Sequence, residues 1–242
     1  MARTYKALAL LLTYPTRDLQ DLAPQALALV EAEGLLARPL VKALTKLVAE
    51  IVDGDIYELQ ERYTELFDRT RSLSLNLYEH VHGESRDRGE AMVALLELYR
   101  TQGLDLSANE LPDFLPVFLE FLSTLPEEQA ASLLGEATHV LDAMGERLKS
   151  RGSAYRAVFG ALASLAATAS DPNALAALLS EPDENPNDLE ALDKAWAETA
   201  VTFGPSEVGC PKAGALVDAM MAEPGRQPRR QPRPSGAEAQ GG

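Results

Sequence analysis

The chain has 242 residues, of which 46% are hydrophobic and 24% are charged, a composition typical of a globular protein that can bury a proper core. Its formal net charge of −15 argues against a nucleic-acid-binding protein, because phosphate binding requires clustered Lys and Arg, and suits partners or peptides that carry positive charge. The single cysteine, Cys210, excludes an internal disulfide and indicates a reducing compartment.

The first residues combine Arg3 and Lys6 with an apolar run at residues 7–12, which is how a secretory signal begins. The run is short, Tyr14 and Pro15 end it, and no small-residue cleavage site follows. A buried first helix is therefore the better interpretation. No other segment approaches the roughly 20 apolar residues that a membrane span requires. The sequence predicts a cytoplasmic protein without stable membrane insertion.

Helical periodicity runs through the chain, and no segment long enough to form a sheet alternates with a period of two. Thr16 or Asp18 can cap the second predicted helix, Gly34 can end it, and Asp55 can cap the fourth. The predicted helices cover about 4–12, 16–33, 39–52, 56–67, 88–102, 111–123, 127–151, 153–170 with an extension at 174–179, 188–196 and 213–221. We therefore expect an all-α, single-domain bundle of about 8–10 helices.

Residues 111–123 contain a nearly continuous apolar run, in which only Pro116 and Glu120 interrupt positions 114–122. A helix without a polar face lies in the middle of a bundle or in a membrane, and this one is too short to span a bilayer. We therefore predict a buried central helix at 111–123, with Pro112 and Asp113 in its first turn.

Two regions lack this helical period. Residues 68–86 read as a loop, and residues 78–89 hold charges, two histidines and two glycines within twelve positions. A long irregular loop inside a compact domain is usually functional or disordered.

From residue 223 onward Pro, Gly, Gln and Arg dominate, which predicts disorder. The expected organisation is one helical domain over residues 1–222, followed by a disordered tail at 223–242.

Metal-dependent catalysis is one alternative that the sequence leaves open. Glu79 with His82 and Glu136 with His139 form two Glu-x-x-His spacings, which in a helical bundle could build a di-metal site. All ligands of such a site must point inward. On a continuous helix, however, His139 lies about 160° from the centre of the apolar face and Glu136 about 100°. A metal-binding helical-bundle enzyme therefore stays the second hypothesis.

Other catalytic patterns are weaker. A zinc site built from His80, His82 and Cys210 would need a convergence that the sequence spacing does not demand. Cys210 has no neighbouring base that would activate it as a nucleophile. The chain contains no phosphate-binding glycine loop and no Gly-x-Ser-x-Gly elbow. We expect neither an enzyme nor a bound cofactor.

A polar loop beside an apolar helix favours a groove for a partner helix. The apolar floor of the groove would come from Tyr63, Phe67 and Phe118. Its charged rim would come from Glu79, Glu84, Arg86, Asp87 and Arg88. The alternative is that all these side chains only pack in the core or lie in solvent.

Several passages resemble the signature regions of the NarJ family, the dedicated assembly chaperones of membrane-bound respiratory nitrate reductase. The passages are Tyr63–Asp68, Leu77–Gly89 and Glu110–Leu122, with Leu192–Trp196 and Val201–Gly204 similar to the C-terminal region of the family. The resemblance covers residues 4–210, and its middle passage is long and unusual.

The resemblance implies an all-helical protein of the wider TorD/DmsD class of redox-enzyme chaperones. Its partner would be the apo catalytic (alpha) subunit of membrane-bound nitrate reductase, held through the N-terminal peptide of that subunit. Binding would keep the subunit competent for molybdenum cofactor insertion and prevent premature membrane attachment, with cofactor delivery proteins as additional partners. The wider class tends to carry a histidine after the aspartate that matches Asp113, whereas Phe114 stands here, so no role of that histidine transfers.

We expect the partner-peptide site to combine apolar contact with charged groups that set orientation. The expected residues are Tyr63, Phe67, Tyr78, Glu79, His80, His82, Glu84, Arg86, Asp87, Arg88, Asp113 and Phe118. The histidines would add pH sensitivity, because the unperturbed pKa of histidine lies near neutrality. A structural subunit that stays in the mature reductase is the third hypothesis.

Overall fold

The structure, a computed structural model, describes residues 2–82, 86–106, 110–181 and 183. Within these residues the chain forms eleven α-helices and one 3-10 turn, Arg71–Leu73, and the only β-pairing is an isolated bridge. The helices are α1 Arg3–Leu11, α2 Arg17–Glu33, α3 Arg38–Asp53, α4 Ile56–Phe67, α5 Glu79–His82, α6 Arg86–Thr101, α7 Leu115–Leu122, α8 Glu127–Glu136, α9 Thr138–Ser150, α10 Arg156–Leu165 and α11 Pro172–Ser180. The predicted all-α bundle is confirmed. The helices predicted at 188–196 and 213–221, Cys210, and the tail predicted at 223–242 lie outside the described residues.

Local capping signals place several helix ends as predicted. The Thr16 hydroxyl accepts a hydrogen bond from the Leu19 backbone N–H at 3.1 Å, and Gly34 ends α2 in the left-handed conformation with φ of 67°. The Asp55 carboxylate accepts from the backbone N–H of Tyr57 at 2.9 Å and so caps α4. Each cap satisfies an amide that a helix terminus leaves without an intrahelical partner.

Helix α1 receives its cap from another helix. Ala2 stands at the capping position and has no side chain that could accept a hydrogen bond. The Glu33 carboxylate, at the end of α2, accepts instead from the backbone N–H groups of Arg3 at 2.9 Å and Thr4 at 2.7 Å, and from the Thr4 hydroxyl at 2.7 Å. Burial alone would raise the pKa of Glu33, but these hydrogen bonds outweigh it and hold the pKa below its usual value.

Helix α1 is central to the packing, because it lies against both α2 and α7 and also touches α10. Helix α10 in turn packs on α9 and α3. Four side chains of α7 are fully buried: Leu115, Phe118, Leu119 and Leu122. The predicted burial of the central helix is confirmed. Although α7 is very apolar, it is only eight residues long, and no helix in the described part of the chain could cross a membrane.

The start of α7 differs from the prediction. The helix begins at Leu115, with Pro116 in its first turn, so Pro112 and Asp113 lie in the preceding turn. Asp113 does not cap α7, because its carboxylate and its backbone carbonyl bind residues 77–78 instead.

The single helix predicted over 127–151 is wrong, since the structure divides it into α8 and α9 at Ala137, where φ is −96° and ψ is 1°. The Thr138 hydroxyl donates to the Gly135 carbonyl at 2.8 Å. The connection after α10 crosses at this point: the Ala167 backbone N–H donates to the Ala131 carbonyl at 2.9 Å. A side chain at Gly135 would come within 2.5 Å of Thr168, so the glycine is what allows this close approach.

Candidate functional site

Three of the predicted charged site residues meet in one polar cluster beside the start of α7. Arg88 lies between two acids, with its guanidinium nitrogen 3.0 Å from Glu79 and 3.8 Å from Asp113. The Asp113 side chain is fully buried and accepts a hydrogen bond from the Tyr78 backbone N–H at 3.2 Å. The cluster thus joins α5, α6 and the turn before α7.

Backbone hydrogen bonds reinforce this junction. The Leu77 N–H donates to the Asp113 carbonyl at 3.0 Å, and the Leu115 N–H donates to the Leu75 carbonyl at 2.8 Å. Asn76 and Phe114 form the isolated antiparallel bridge between these two bonds. Because side-chain and backbone contacts act on the same turn, the cluster fixes where α7 begins and how Phe114 is presented.

The polar groups in the cluster are only partly satisfied. Burial raises the pKa of Asp113, and the Tyr78 N–H and the Arg88 charge oppose this rise without cancelling it. One Asp113 carboxylate oxygen and the Arg88 Nε have no hydrogen-bond partner within the described part of the chain. A charged Asp113 therefore costs free energy in the fold relative to the neutral carboxylic acid.

His80 holds the loop that precedes the cluster. Its Nε2 lies 2.8 Å from the Ser74 carbonyl oxygen, which can only accept, so Nε2 carries the proton. Burial lowers the pKa of His80, the Arg147 charge and His139 lower it further, and the Ser74 bond and Glu79 act in the opposite direction. The net shift is downward, so the neutral ring is the form that the fold favours.

The three aromatic side chains predicted to form a groove floor lie in the core, and so does Tyr78 of the predicted peptide site. Tyr63 and Phe67 are 4% exposed, Tyr78 is 2% exposed and Phe118 is fully buried. The Tyr63 hydroxyl donates to the Leu12 carbonyl at 2.8 Å. These four residues have no surface to offer a peptide in this conformation, because they already contact the protein on all sides.

The remaining predicted rim residues fall into two groups. Asp87 is exposed near the start of α6. Glu84 and the side chains of His82 and Arg86 lie outside the described residues. The structure therefore brings Glu79, Arg88 and Asp113 together and places the predicted floor elsewhere, in the core.

An apolar groove that the sequence reasoning missed lies between α1, α2 and α7. It encloses about 530 Å³ and follows the edge of α7 that carries Val117 and Glu120. Its apolar lining comes from Ala7, Ala9, Leu10, Leu22, Ala26, Leu29, Phe114, Pro116 and Val117. Exposed apolar surface of this kind marks a binding groove more often than it serves stability.

A second cavity, of about 360 Å³, continues along the same edge of α7 toward the end of α6. The two cavities share Lys6, Glu110, Val117 and Glu120. Together they form one apolar groove with charged residues at the junction. We call this surface, lined by α1, α2, α7 and the segment 104–106, the α7 groove.

A cavity of similar size, about 560 Å³, lies between α3, α4 and the connection from α9 to α10. Its charged rim is already paired within the chain, since Arg62 lies 3.5 Å from Glu50 and Arg151 lies 2.6 Å from Asp183. The α7 groove is the more apolar surface, and so it is the stronger candidate for a partner.

Two sequence signals point to the α7 groove in retrospect. Leu22 recurs with Ala26 and Leu29 at helical spacing, which indicates a common apolar face, yet Leu22 is 41% exposed. The α1 segment is apolar on more faces than one packing interface needs, as Leu8 and Leu11 are fully buried while Leu10 is only half-buried. A helix with apolar residues outside its packed stripe indicates a second contact surface.

The alternative metal site is not assembled in the described part of the chain. No three described Asp, Glu, His or Cys side chains lie where they could hold one ion. Glu136 is exposed and His139 is half-buried at the broken junction of α8 and α9. The break leaves Glu136 and His139 on different helices, whereas the predicted ligand spacing requires a single one.

Comparison with known proteins agrees with the resemblance seen in the sequence. Residues 33–161 match the family described as "Nitrate reductase delta subunit". The chain is 39% identical over 202 residues to the nitrate reductase molybdenum cofactor assembly chaperone NarJ of Escherichia coli (strain K12), covering 83% of this chain and 84% of that protein. It is 38% identical over 198 residues to the probable assembly chaperone NarW of the same strain, covering 82% of each chain.

A more distant relative is the probable nitrate reductase molybdenum cofactor assembly chaperone NarJ of Bacillus subtilis (strain 168). It is 28% identical to this chain over 152 residues, which cover 63% of this chain and 82% of that protein. These relatives are named as chaperones of cofactor assembly, not as catalysts. The chain belongs to the nitrate reductase delta-subunit family, a family of molybdenum cofactor assembly chaperones and not of enzymes.

Proposed function

We propose that the protein binds the apo catalytic subunit of a membrane-bound nitrate reductase, through the N-terminal peptide of that subunit, and keeps it competent for molybdenum cofactor insertion. It acts in the cytoplasm before membrane attachment, with cofactor delivery proteins as further partners. The observation that carries this proposal is the open apolar α7 groove in a chain that belongs to the chaperone family.

The groove suits a polypeptide better than a small molecule. It is long, open to solvent and lined by side chains of three helices, which is how an amphipathic helix is bound in a groove. A peptide that folds on binding loses conformational entropy, which offsets much of the free energy gained from apolar burial. The affinity is therefore modest and reversible, as release of a client requires.

The buried cluster has a supporting role in this proposal. Glu79, Arg88 and Asp113 fix the turn before α7, and Phe114 in that turn lines the groove. His80 steadies the adjoining loop through Ser74. Side chains that lock the surroundings of a site keep its geometry within the tolerance that binding needs.

Asp87 is exposed and is a proposed direct contact of the client. The same role is proposed for His82, Glu84 and Arg86, for which the sequence resemblance is the support. The core aromatics Tyr63, Phe67, Tyr78 and Phe118 would reach a client only after rearrangement, because they are buried.

The decisive experiment is calorimetric binding of a synthetic N-terminal peptide of the reductase catalytic subunit. Leu22→Glu places a charge in the apolar lining of the larger cavity, away from the junction, at a side chain that is 41% exposed; it should weaken binding at least about tenfold, because a charge that the bound peptide covers without a partner is costly. The matched control is Val93→Glu on α6, where Val93 is 68% exposed and lines neither groove cavity; it should bind like the unchanged protein.

A second measurement connects binding to maturation. In cells that make the reductase, the unchanged protein should co-purify with catalytic subunit that lacks cofactor, and Leu22→Glu should lower the fraction of reductase that acquires molybdenum. Recovery of the protein in stable stoichiometry with mature, cofactor-loaded reductase would instead identify a structural subunit and overturn the proposal.

A further inference from the structure

The two cavities of the α7 groove meet at an ion pair. Lys6 Nζ lies 4.0 Å from the Glu120 carboxylate, and both residues line both cavities. Lys6 comes from α1 and Glu120 from α7, so the pair crosses the groove from one wall to the other. Any helix that fills both cavities must pass this point.

The junction carries more acid than base. Glu110 lines both cavities as Glu120 does, while Lys6 is the one basic residue among those the structure describes that lines both. Arg3, at the far end of the larger cavity, lies 3.4 Å from Glu33, which caps α1. The local field at the junction therefore favours a positively charged group on the bound partner.

We propose, on the basis of the proposed function, that Lys6 is an internal competitor for Glu120 and that a Lys or Arg of the client helix displaces it. The side chains of Lys6 and Glu120 are 68% and 60% exposed, and ion pairs with this exposure are nearly neutral in free energy. Displacement of Lys6 therefore opposes binding only weakly. The new pair is covered by the bound helix and is less screened by solvent than the old one.

This arrangement defines the partner by its chemistry. A helix that enters both cavities carries apolar side chains one turn before and one turn after the basic residue, because residues three or four apart lie on the same face. The groove therefore selects a basic residue flanked by apolar residues at helical spacing. An acidic residue at the same position would meet Glu110 and Glu120 and be rejected.

The test is a double-mutant cycle in the full chain. The probe is a designed 15-residue amphipathic helix with one central Arg, paired with a twin in which norleucine replaces that Arg. Binding of both peptides is measured at low salt to the unchanged protein, Glu120→Gln and Lys6→Gln. The control variants Glu146→Gln and Lys149→Gln change the net charge equally at an exposed ion pair on α9 that lines neither cavity.

Loss of Glu120 should weaken binding of the Arg peptide about three- to tenfold, the range for one partly covered charge pair, and should leave the norleucine twin unaffected. Lys6→Gln should act in the opposite direction and strengthen binding of the Arg peptide about twofold or more, because it removes the competitor. The α9 control variants should do neither.

The proposal is overturned if Lys6→Gln weakens binding as Glu120→Gln does, or if both peptides respond equally to Glu120→Gln. The same measurements with the reductase N-terminal peptide separate the two proposals. If that peptide binds with an affinity that is insensitive to Glu120→Gln, the function stands and the displacement is wrong. If it fails to bind while the designed pair shows the predicted coupling, the displacement stands and the client assignment is wrong.

Discussion

The guanidinium of Arg147 donates a hydrogen bond to the backbone carbonyl of Ser72 at 2.8 Å, joining residues 75 positions apart in the chain. A second hydrogen bond from the same group reaches the Leu178 carbonyl at 2.7 Å. Arg147 is only 5% exposed. It therefore ties α9 both to the 3-10 turn ahead of the polar cluster and to the last turn of α11.

Arg147→Ala should destabilise the fold by about 2–4 kcal/mol, because it leaves buried carbonyls without donors and opens a cavity. Urea unfolding followed by far-UV circular dichroism measures the effect. Arg156→Ala, an exposed arginine on the neighbouring helix α10, is the control and should change stability little. Equal midpoints for the two variants would show that the carbonyl contacts contribute nothing.

Asp113→Asn should change how stability depends on pH. The pKa of Asp113 is raised in the fold above its ordinary value of 3.8. The favourable contribution of Asp113 to the free energy of unfolding is therefore complete below pH 3.8 and is lost as the pH rises through the folded pKa. Asn does not titrate. The free energy of unfolding of the unchanged protein should therefore fall relative to Asp113→Asn between pH 4 and pH 7.

Urea titrations at several pH values follow this difference directly. Asp21→Asn, at an exposed position on α2, serves as the control and should track the unchanged protein. A difference between Asp113→Asn and the unchanged protein that stays constant with pH would contradict the raised pKa.

His80→Gln should remove a source of acid sensitivity. The pKa of His80 is lowered in the fold below its ordinary value of 6.5. The contribution of His80 to the free energy of unfolding is therefore present above pH 6.5 and is lost as the pH falls from 6.5 through the folded pKa. Gln can still donate to the Ser74 carbonyl but is neutral at every pH. The unchanged protein should lose stability relative to His80→Gln between pH 6.5 and pH 5, and the difference should be constant above pH 7.5. Thermal unfolding across this pH range measures the difference in stability. A parallel loss of stability in both proteins would exclude His80 as the cause.

Two glycine substitutions should act in opposite directions. Gly135→Ala would bring a methyl group within 2.5 Å of the Thr168 side chain, so it should destabilise the fold by about 1–3 kcal/mol through overpacking. Gly89→Ala has nothing within 4 Å and lies in α6, so it should stabilise the fold by about 0.5–1 kcal/mol through helix propensity. Differential scanning calorimetry measures both, and a stabilised Gly135→Ala would show that the connection after α10 does not press on α8.

Short-range signals were enough to predict most of the helices. Thr16, Gly34 and Asp55 act as predicted because a cap depends on side chains only a few residues away. The break at Ala137 could not be predicted in the same way. Its causes include Thr168, more than thirty residues further along the chain, and no proline marks the break in the sequence.

The candidate site was only partly predictable for a related reason. The density of charges at residues 78–89 indicated a special region, and within its described part Glu79 and Arg88 meet Asp113. Sequence alone could not show that Phe118 faces the core while Val117, its neighbour, lines the groove. That choice depends on how α7 is rotated against α1, which is set by tertiary packing.

The cap that Glu33 gives to α1 has a consequence for the order in which the protein forms. A nine-residue helix without its own cap is too short to persist alone in water. Helix α1 forms one wall of the α7 groove. During synthesis, α1 therefore cannot become stable until residue 33 has left the ribosome and α2 packs against α1. The surface proposed to bind the client thus forms only as part of a folded unit in which α2 already packs against α1.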